Sequence, residues 1–240
     1  PEGTLARVHF IIGRSGGKTP RIDTETLEAG ILKIVRTWDD ALQEALEETG
    51  ADRRFAGVAA AFPESYRNGF SAETALIDAE RMAKLSADNP IAIDFHRHED
   101  QNETQAALKI YHHGTPVPLT ERVPLLENMG FRVISERTFE IGDADDEESA
   151  QIFIHDMELE NAFDGPIDLS DRGALFEELF LSVWRREHDD DRLNALAQTA
   201  RLRVDEIAIL RAYSRFLHQA SIPQSQDFIA ATMNRYPHIA

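Results

Sequence analysis

The feature that most constrains this chain is a change in the spacing of its apolar residues near residue 160. Before that point, short runs of alternating apolar positions are interleaved with helical patterns. After it, apolar residues recur at three- and four-residue steps almost throughout. Period-two alternation turns one face of a strand toward a core, whereas three-and-four spacing turns one stripe of a helix toward it. A chain that carries the two patterns in succession is expected to be α+β over residues 1–160 and helical over residues 161–240.

Leu5, Ala6, Val8, Phe10, Ile11 and Ile12 predict a first strand, closed by a glycine-rich turn at 13–17. Asp23 can then cap one long helix, with Leu27, Ile31, Ile34, Val35, Trp38, Leu42 and Leu46 as its stripe and Gly50 at its end. A linker with Phe62, Pro63, Tyr66 and Phe70 precedes a second helix. Ser71 and Thr74 open that helix, and Leu76, Ala79, Met82, Ala83 and Leu85 form its apolar face. Ile91, Ile93 and Phe95 alternate with Ala92, Asp94 and His96, and residues 107–112 repeat the pattern with Leu108 and Ile110 inward, as in a sheet with one buried face. Residues 118–129 predict a short helix ended by Gly130, and 131–141 and 152–159 predict strands either side of an acidic turn at 143–148.

That order is a split βαβ, or ferredoxin-like βαββαβ layer, with a helical insert and an extra strand. Two helices would cover one face, and the first strand would lie beside the third. Beyond Asp168, four amphipathic stripes predict a helical region: Phe176, Leu179, Phe180, Val183 and Trp184; Leu193, Leu196 and Ala200; Ile207, Leu210, Tyr213, Phe216 and Leu217; Phe228, Ile229 and Met233. The aspartates at 189–191 mark a helix start, where negative charge opposes the macrodipole.

Composition narrows the function. Asp and Glu total 43 against 25 Lys and Arg, a formal charge of −18, which argues against partners rich in phosphate, whether nucleic acid or anionic membrane. The absence of Cys excludes disulfides, thiolate metal sites and thiol nucleophiles, and fits a cytoplasmic setting. No apolar run approaches the roughly 20 residues of a membrane span. The chain begins at Pro1 with no Met before it, as a segment of something longer would.

Three constellations could carry chemistry. Gly13-Arg14-Ser15-Gly16-Gly17-Lys18-Thr19 has the ending of a phosphate-binding loop. The opening glycine would have to stand at Ile12, and Pro20 sits where the helix should already run, so a surface turn is the better reading. His96 and His98 with Asp94 occupy one strand face, and His112 and His113 are adjacent. A metal could be held there, but a solvated sheet face accounts for the same residues. His155 and Asp156 resemble a base with its orienting carboxylate, yet neighbours in a strand point to opposite faces and cannot pair. Neither a Gly-x-Ser-x-Gly elbow nor a Gly-x-Gly-x-x-Gly fingerprint occurs. The residues thus supply no catalytic, cofactor-binding or metal assignment.

The stretches Leu108-Lys-Ile-Tyr-His-His-Gly114, Pro118-Leu-Thr-Glu-Arg-Val-Pro-Leu-Leu-Glu-Asn-Met-Gly-Phe-Arg-Val133 and Ile152-Phe-Ile-His-Asp-Met157 closely resemble the N-terminal half of the very large bacterial NAD-specific glutamate dehydrogenases. Leu5-Ala-Arg-Val-His-Phe-Ile11, Trp38-Asp39-Asp40, Ala61-Phe-Pro-Glu-Ser-Tyr66 and the segments 207–222 and 223–239 fit the same family in the same order. The resemblance implies ACT-type modules with helical motifs that serve regulation and assembly, while NAD and glutamate meet in a catalytic domain downstream. It implies no cofactor and no catalytic residue within these 240. It also implies a homo-oligomeric contact through the ACT-like sheet, contact with the downstream catalytic domain, and an amino-acid effector. The rival readings are a free-standing amino-acid-binding ACT-like module and a metal-dependent enzyme using the His96/His98 face.

Overall fold

A computed structural model describes residues 23–142 and 151–240, apart from the side chains of residues 29 and 32–35. The residues of the predicted first strand, the glycine-rich turn and the acidic turn at 143–148 lie outside the described residues. The expected place beside the third strand is corrected: in the sheet, residues 105–113 have residues 91–96 on one side and residues 152–161, foreseen as the extra strand, on the other.

The stripe expected to form one long helix is divided between two, α1 (Thr24–Val35) and α2 (Trp38–Thr49). Thr37 breaks it. Its backbone is extended, its hydroxyl accepts from the Asp40 amide, and the Asp40 carboxylate accepts from the Thr37 amide at 3.0 Å. This reciprocal box satisfies two orphan donors and so favours a fresh start over a continuous helix. Gly50, at φ 65°, ends α2. The predicted linker is itself helical, as α3 (Arg53–Ala60) and α4 (Glu64–Arg67), and it buries Phe62 and Tyr66. Ser71 caps α5 (Ala72–Met82) by accepting from the Thr74 amide.

Four strands, β1 (Ile91–His96), β2 (Gln105–His113), β3 (Phe131–Ile141) and β4 (Ile152–Asn161), form one antiparallel sheet in the order β1-β2-β4-β3. Helix α6 (Leu119–Asn128) joins β2 to β3. Gly130 follows it at φ +87°, where an added Cβ would come within 2.7 Å of both Gln198 and Phe163. Only glycine fits this turn without strain or collision.

The expectation of one buried face is corrected: helices cover both. On one face Ile91, Ile93, Phe95, Leu108, Ile110, Met157 and Leu159 pack with Leu125, Leu126 and Met129 of α6, and with α7 (Leu169–Trp184). Phe95, Phe131 and Phe176 lie at centroid distances of 5.3–5.7 Å. On the other face Tyr111, Phe139, Ile141 and Ile154 meet α2, α3, α4 and α5. A bulge between Val133 and Ser135 leaves Ile134 unpaired in the ladder and reverses the alternation of β3. Phe131 therefore faces α7, while Arg137 and Phe139 face the α5 side.

Because α7 lies on the sheet, the core runs without a break across residue 160. The remaining helical stretch is a 3-10 turn (Arg192–Ala195) leading into α8 (Leu196–Thr199), then α9 (Val204–Gln219) and α10 (Gln226–Arg235). The predicted helix start at 189–191 is this 3-10 turn, which Asp191 caps through the Leu193 amide. The predicted inward stripe of α9 is also corrected. Ile207 is buried, but Tyr213 and Phe216 are 63% and 62% exposed, as is most of Phe228 on α10. The inward edge of α9 is Val204, Ile207, Arg211 and Ser214, half of it polar. Arg211 donates to Asp191 at 2.6 Å and to Asn194 at 2.7 Å, and Asn234 donates to the Arg192 carbonyl at 3.0 Å. Among the described residues no helix is long and apolar enough to cross a membrane.

Candidate functional site

The α5 side of the sheet contains a buried polar seam centred on one carboxylate. Asp78 stands on α5 at the step that joins Ala75 to Met82, so helical geometry carries its carboxylate into the core with them. There it accepts from Lys109 Nζ at 2.6 Å, from Tyr111 Oη at 2.7 Å and from the Tyr66 hydroxyl. Lys109 also lies 4.0 Å from the centre of the Phe70 ring. Burial and the neighbouring Asp78 charge push both tyrosine hydroxyls well above their usual range. The seam is a closed set of donors and one acceptor, so its members hold the helices to the sheet.

Beside the seam, β1 carries Asp94, paired in register with Lys109, and His96, and the turn after it carries His98. Asp94 accepts from Arg81 at 2.6 Å, and His96 Nδ1 lies 3.3 Å from the Asp94 carbonyl. Burial, with the Lys109 and His98 charges, holds His96 below the ordinary imidazole range against the pull of Asp94. His98 is set by a turn in which its amide donates to the Gln101 side chain at 3.0 Å. Asp156, from the middle of β4, accepts from Arg137 through Oδ2 at 2.7 Å, whereas its Oδ1 is buried without a hydrogen-bond partner. His98 Nε2 lies 4.0 Å from that oxygen. One ligand atom from each of His96, His98 and Asp156 falls within 4.8 Å of the others.

The solvated-face reading of His96 and His98 is therefore corrected: both are partly buried, and the third member of their group is Asp156, with Asp94 behind His96. His155 and Asp156 do diverge. His155 faces α6, where its Nε2 accepts from the Val117 amide at 3.0 Å and its Nδ1 meets Thr138 and Glu136 at 3.0 and 3.1 Å. Burial and the Arg122 guanidinium lower its pKa to about 4, against the opposing effect of Glu136. His112 bonds the Thr115 carbonyl through Nδ1 at 2.6 Å and joins no such group. The Gly13–Thr19 loop lies outside the described residues. Sequence reasoning missed Asp78, Lys109 and Arg137. For the first two a signal existed: a carboxylate inside an apolar helical stripe, and a lysine inside the apolar run 106–111. A second feature, a cleft of about 690 Å³, lies beside the start of β3, between Gly130, Phe163, Arg192 and Arg235.

An antiparallel sheet with helices, followed by helical motifs, defines an ACT-type α+β module with a helical continuation. Four family models match the chain in succession: glutamate dehydrogenase, ACT2 domain (residues 1–39); helical motif 2 (41–85); ACT3 domain (90–172); and helical motif 3 (188–240). The chain belongs to the large NAD-specific glutamate dehydrogenase family. It is 37% identical over 242 residues to the NAD-specific glutamate dehydrogenase of Halomonas elongata, 29% over 243 to that of Pseudomonas aeruginosa and 26% over 255 to that of Mycobacterium tuberculosis. These alignments cover 98–100% of this chain and 15% of each relative, so the chain spans about one-seventh of the length of the curated relatives it matches. The described sheet is the ACT3 match, and the residues of the predicted first strand fall in the ACT2 match.

Proposed function

We propose that this chain is a non-catalytic regulatory and assembly segment of an NAD-dependent glutamate dehydrogenase. The parent reaction would convert L-glutamate, NAD and water to 2-oxoglutarate, ammonia and NADH at a catalytic domain elsewhere in the protein. The observation that carries this reading is the ordered succession of ACT and helical-motif matches along the chain. The chemistry of the seam supports it, because Asp78, Lys109 and the two tyrosines satisfy one another and leave no group free to exchange a proton with a substrate.

In this reading the sheet edges are assembly surfaces: an edge strand presents unpaired backbone groups to a second copy. The cleft beside Gly130 has Arg192 and Arg235 with Glu127 and Asp164 on its walls, charges of both signs that suit a zwitterionic amino-acid effector. The cytoplasm is the proposed compartment. The test is an assay of the 240-residue chain for NAD reduction with glutamate, run beside the intact dehydrogenase. The segment is expected to be silent, and turnover by the segment alone would overturn the proposal. Calorimetry with a panel of amino acids tests the effector. Heat that survives Arg192→Ala with Arg235→Ala would remove it from this cleft.

A further inference from the structure

The arrangement around Asp156 has a property that no hydrogen-bonding account absorbs. Its side chain is 2% exposed and its Oδ1 has no hydrogen-bond partner, although leaving a buried carboxylate oxygen unpaired is costly. Two imidazoles lie beside it, those of His96 and His98, whose rings meet edge to face at a centroid distance of 4.8 Å. We propose that His96, His98 and Asp156 are a three-ligand site for a divalent first-row transition ion of the zinc class, with the fourth position left to water.

The donor chemistry fits. Two imidazoles and one carboxylate are a borderline nitrogen–oxygen set that suits zinc, cobalt or nickel and does not suit calcium or magnesium. Bond lengths of about 2.0–2.2 Å in a tetrahedron put ligand atoms about 3.4 Å apart. The 4.0 Å between His98 Nε2 and Asp156 Oδ1 therefore closes by about 0.6 Å, and the widest pair of the three, within 4.8 Å, by at most about 1.4 Å, movements that fall to the side chain on the turn. The supports are already in place. His96 Nδ1 faces the Asp94 carbonyl, which leaves Nε2 to face an ion, and Arg137 anchors the second Asp156 oxygen.

Charge does not oppose it. Arg81 is paired with Asp94 and Lys109 with Asp78, while Arg137 shares the Asp156 carboxylate through Oδ2 and leaves Oδ1 to the ion. The ion would brace the turn after β1 to β4 across the width of β2, on the face that α5 covers. This inference stands whether or not the segment proves regulatory.

The test uses the full 240-residue chain, stripped with a chelator and titrated with zinc chloride by calorimetry, with cobalt(II) absorption as a second readout. One equivalent is expected, with a raised thermal midpoint and the visible bands of tetrahedral cobalt. His98→Ala, on the partly exposed turn, should weaken binding more than tenfold with circular dichroism unchanged. His96→Ala with His98→Ala should abolish the bands, and His112→Ala with His113→Ala should leave them intact. No stoichiometric zinc at micromolar concentration overturns the site. So does binding that persists in the His96/His98 double variant, which would place the metal on other histidines.

Discussion

The two faces of the sheet solve the same packing problem by different means. Toward α6 and α7 the contact is largely shape: Phe95, Phe131 and Phe176 interlock, and the aliphatic residues of β1, β2 and β4 fill the gaps. Toward α5 the contact is organised around a charge, with Asp78 gathering Lys109, Tyr66 and Tyr111. The difference teaches that burial alone does not say what a surface tolerates. A shape-packed face loses stability in proportion to what is removed, whereas a charge-centred face loses most when one partner is removed and the other is left behind.

The sharpest way to break this contrast is Lys109→Met. It leaves the Asp78 carboxylate buried without its cation and is expected to cost ~3–5 kcal/mol in urea unfolding. Adding Asp78→Leu should recover part of that loss; a double variant weaker than the single one would refute the charge-centred reading. On the shape-packed side, Gly130→Val is expected to cost ~2–4 kcal/mol, because a β-branched residue must adopt positive φ against Gln198 and Phe163. No second substitution at a charged site should rescue it, as thermal denaturation of the variant pairs would show.

His155 gives a pH handle on the α6 side. Its native pKa of about 4 lies below the ordinary imidazole value of 6.5, so the unfolded chain binds the extra proton first as the pH falls. Stability from this group is full above about pH 6.5 and declines toward pH 4, by on the order of 2–3 kcal/mol. The physical reason is that a proton on Nε2 would displace the Val117 amide donated to it. His155→Gln should flatten that part of the pH profile of unfolding.

Smaller effects mark regions outside the contrast. Thr37→Ala removes the cap that separates α1 from α2 and is expected to cost ~1 kcal/mol, measured by the same urea titration. Phe216→Ser, on the exposed side of α9, should change stability by less than ~0.5 kcal/mol. A larger loss would mean that this helix is held by its apolar stripe and not by Arg211.

Periodicity made much of the architecture legible. Ile91, Ile93 and Phe95 read as one buried strand face and are one. Gly130 reads as the stop after α6, and Ser71 as the start of α5. Capping and alternation are local rules, decided within a few residues, so a single sequence displays them. The Thr37 break was local too, but the stripe running through it masked the cap.

What only the tertiary structure decided are the choices that depend on residues distant along the chain. Burial of both sheet faces followed from helices α2 to α5 folding back over strands that begin at residue 91. The bulge at Ile134 redistributed β3 between the two faces, and no pattern of apolar residues announces a ladder that gains one residue. Asp156 met His98 because β4 inserted beside β2, which put a residue 58 positions away opposite the turn after β1. By itself the sequence determined the four described strands, most of the helices and, through its motifs, the family. Strand order decided which charges share a core, because a carboxylate is paired only by what the fold brings within about 3 Å of it.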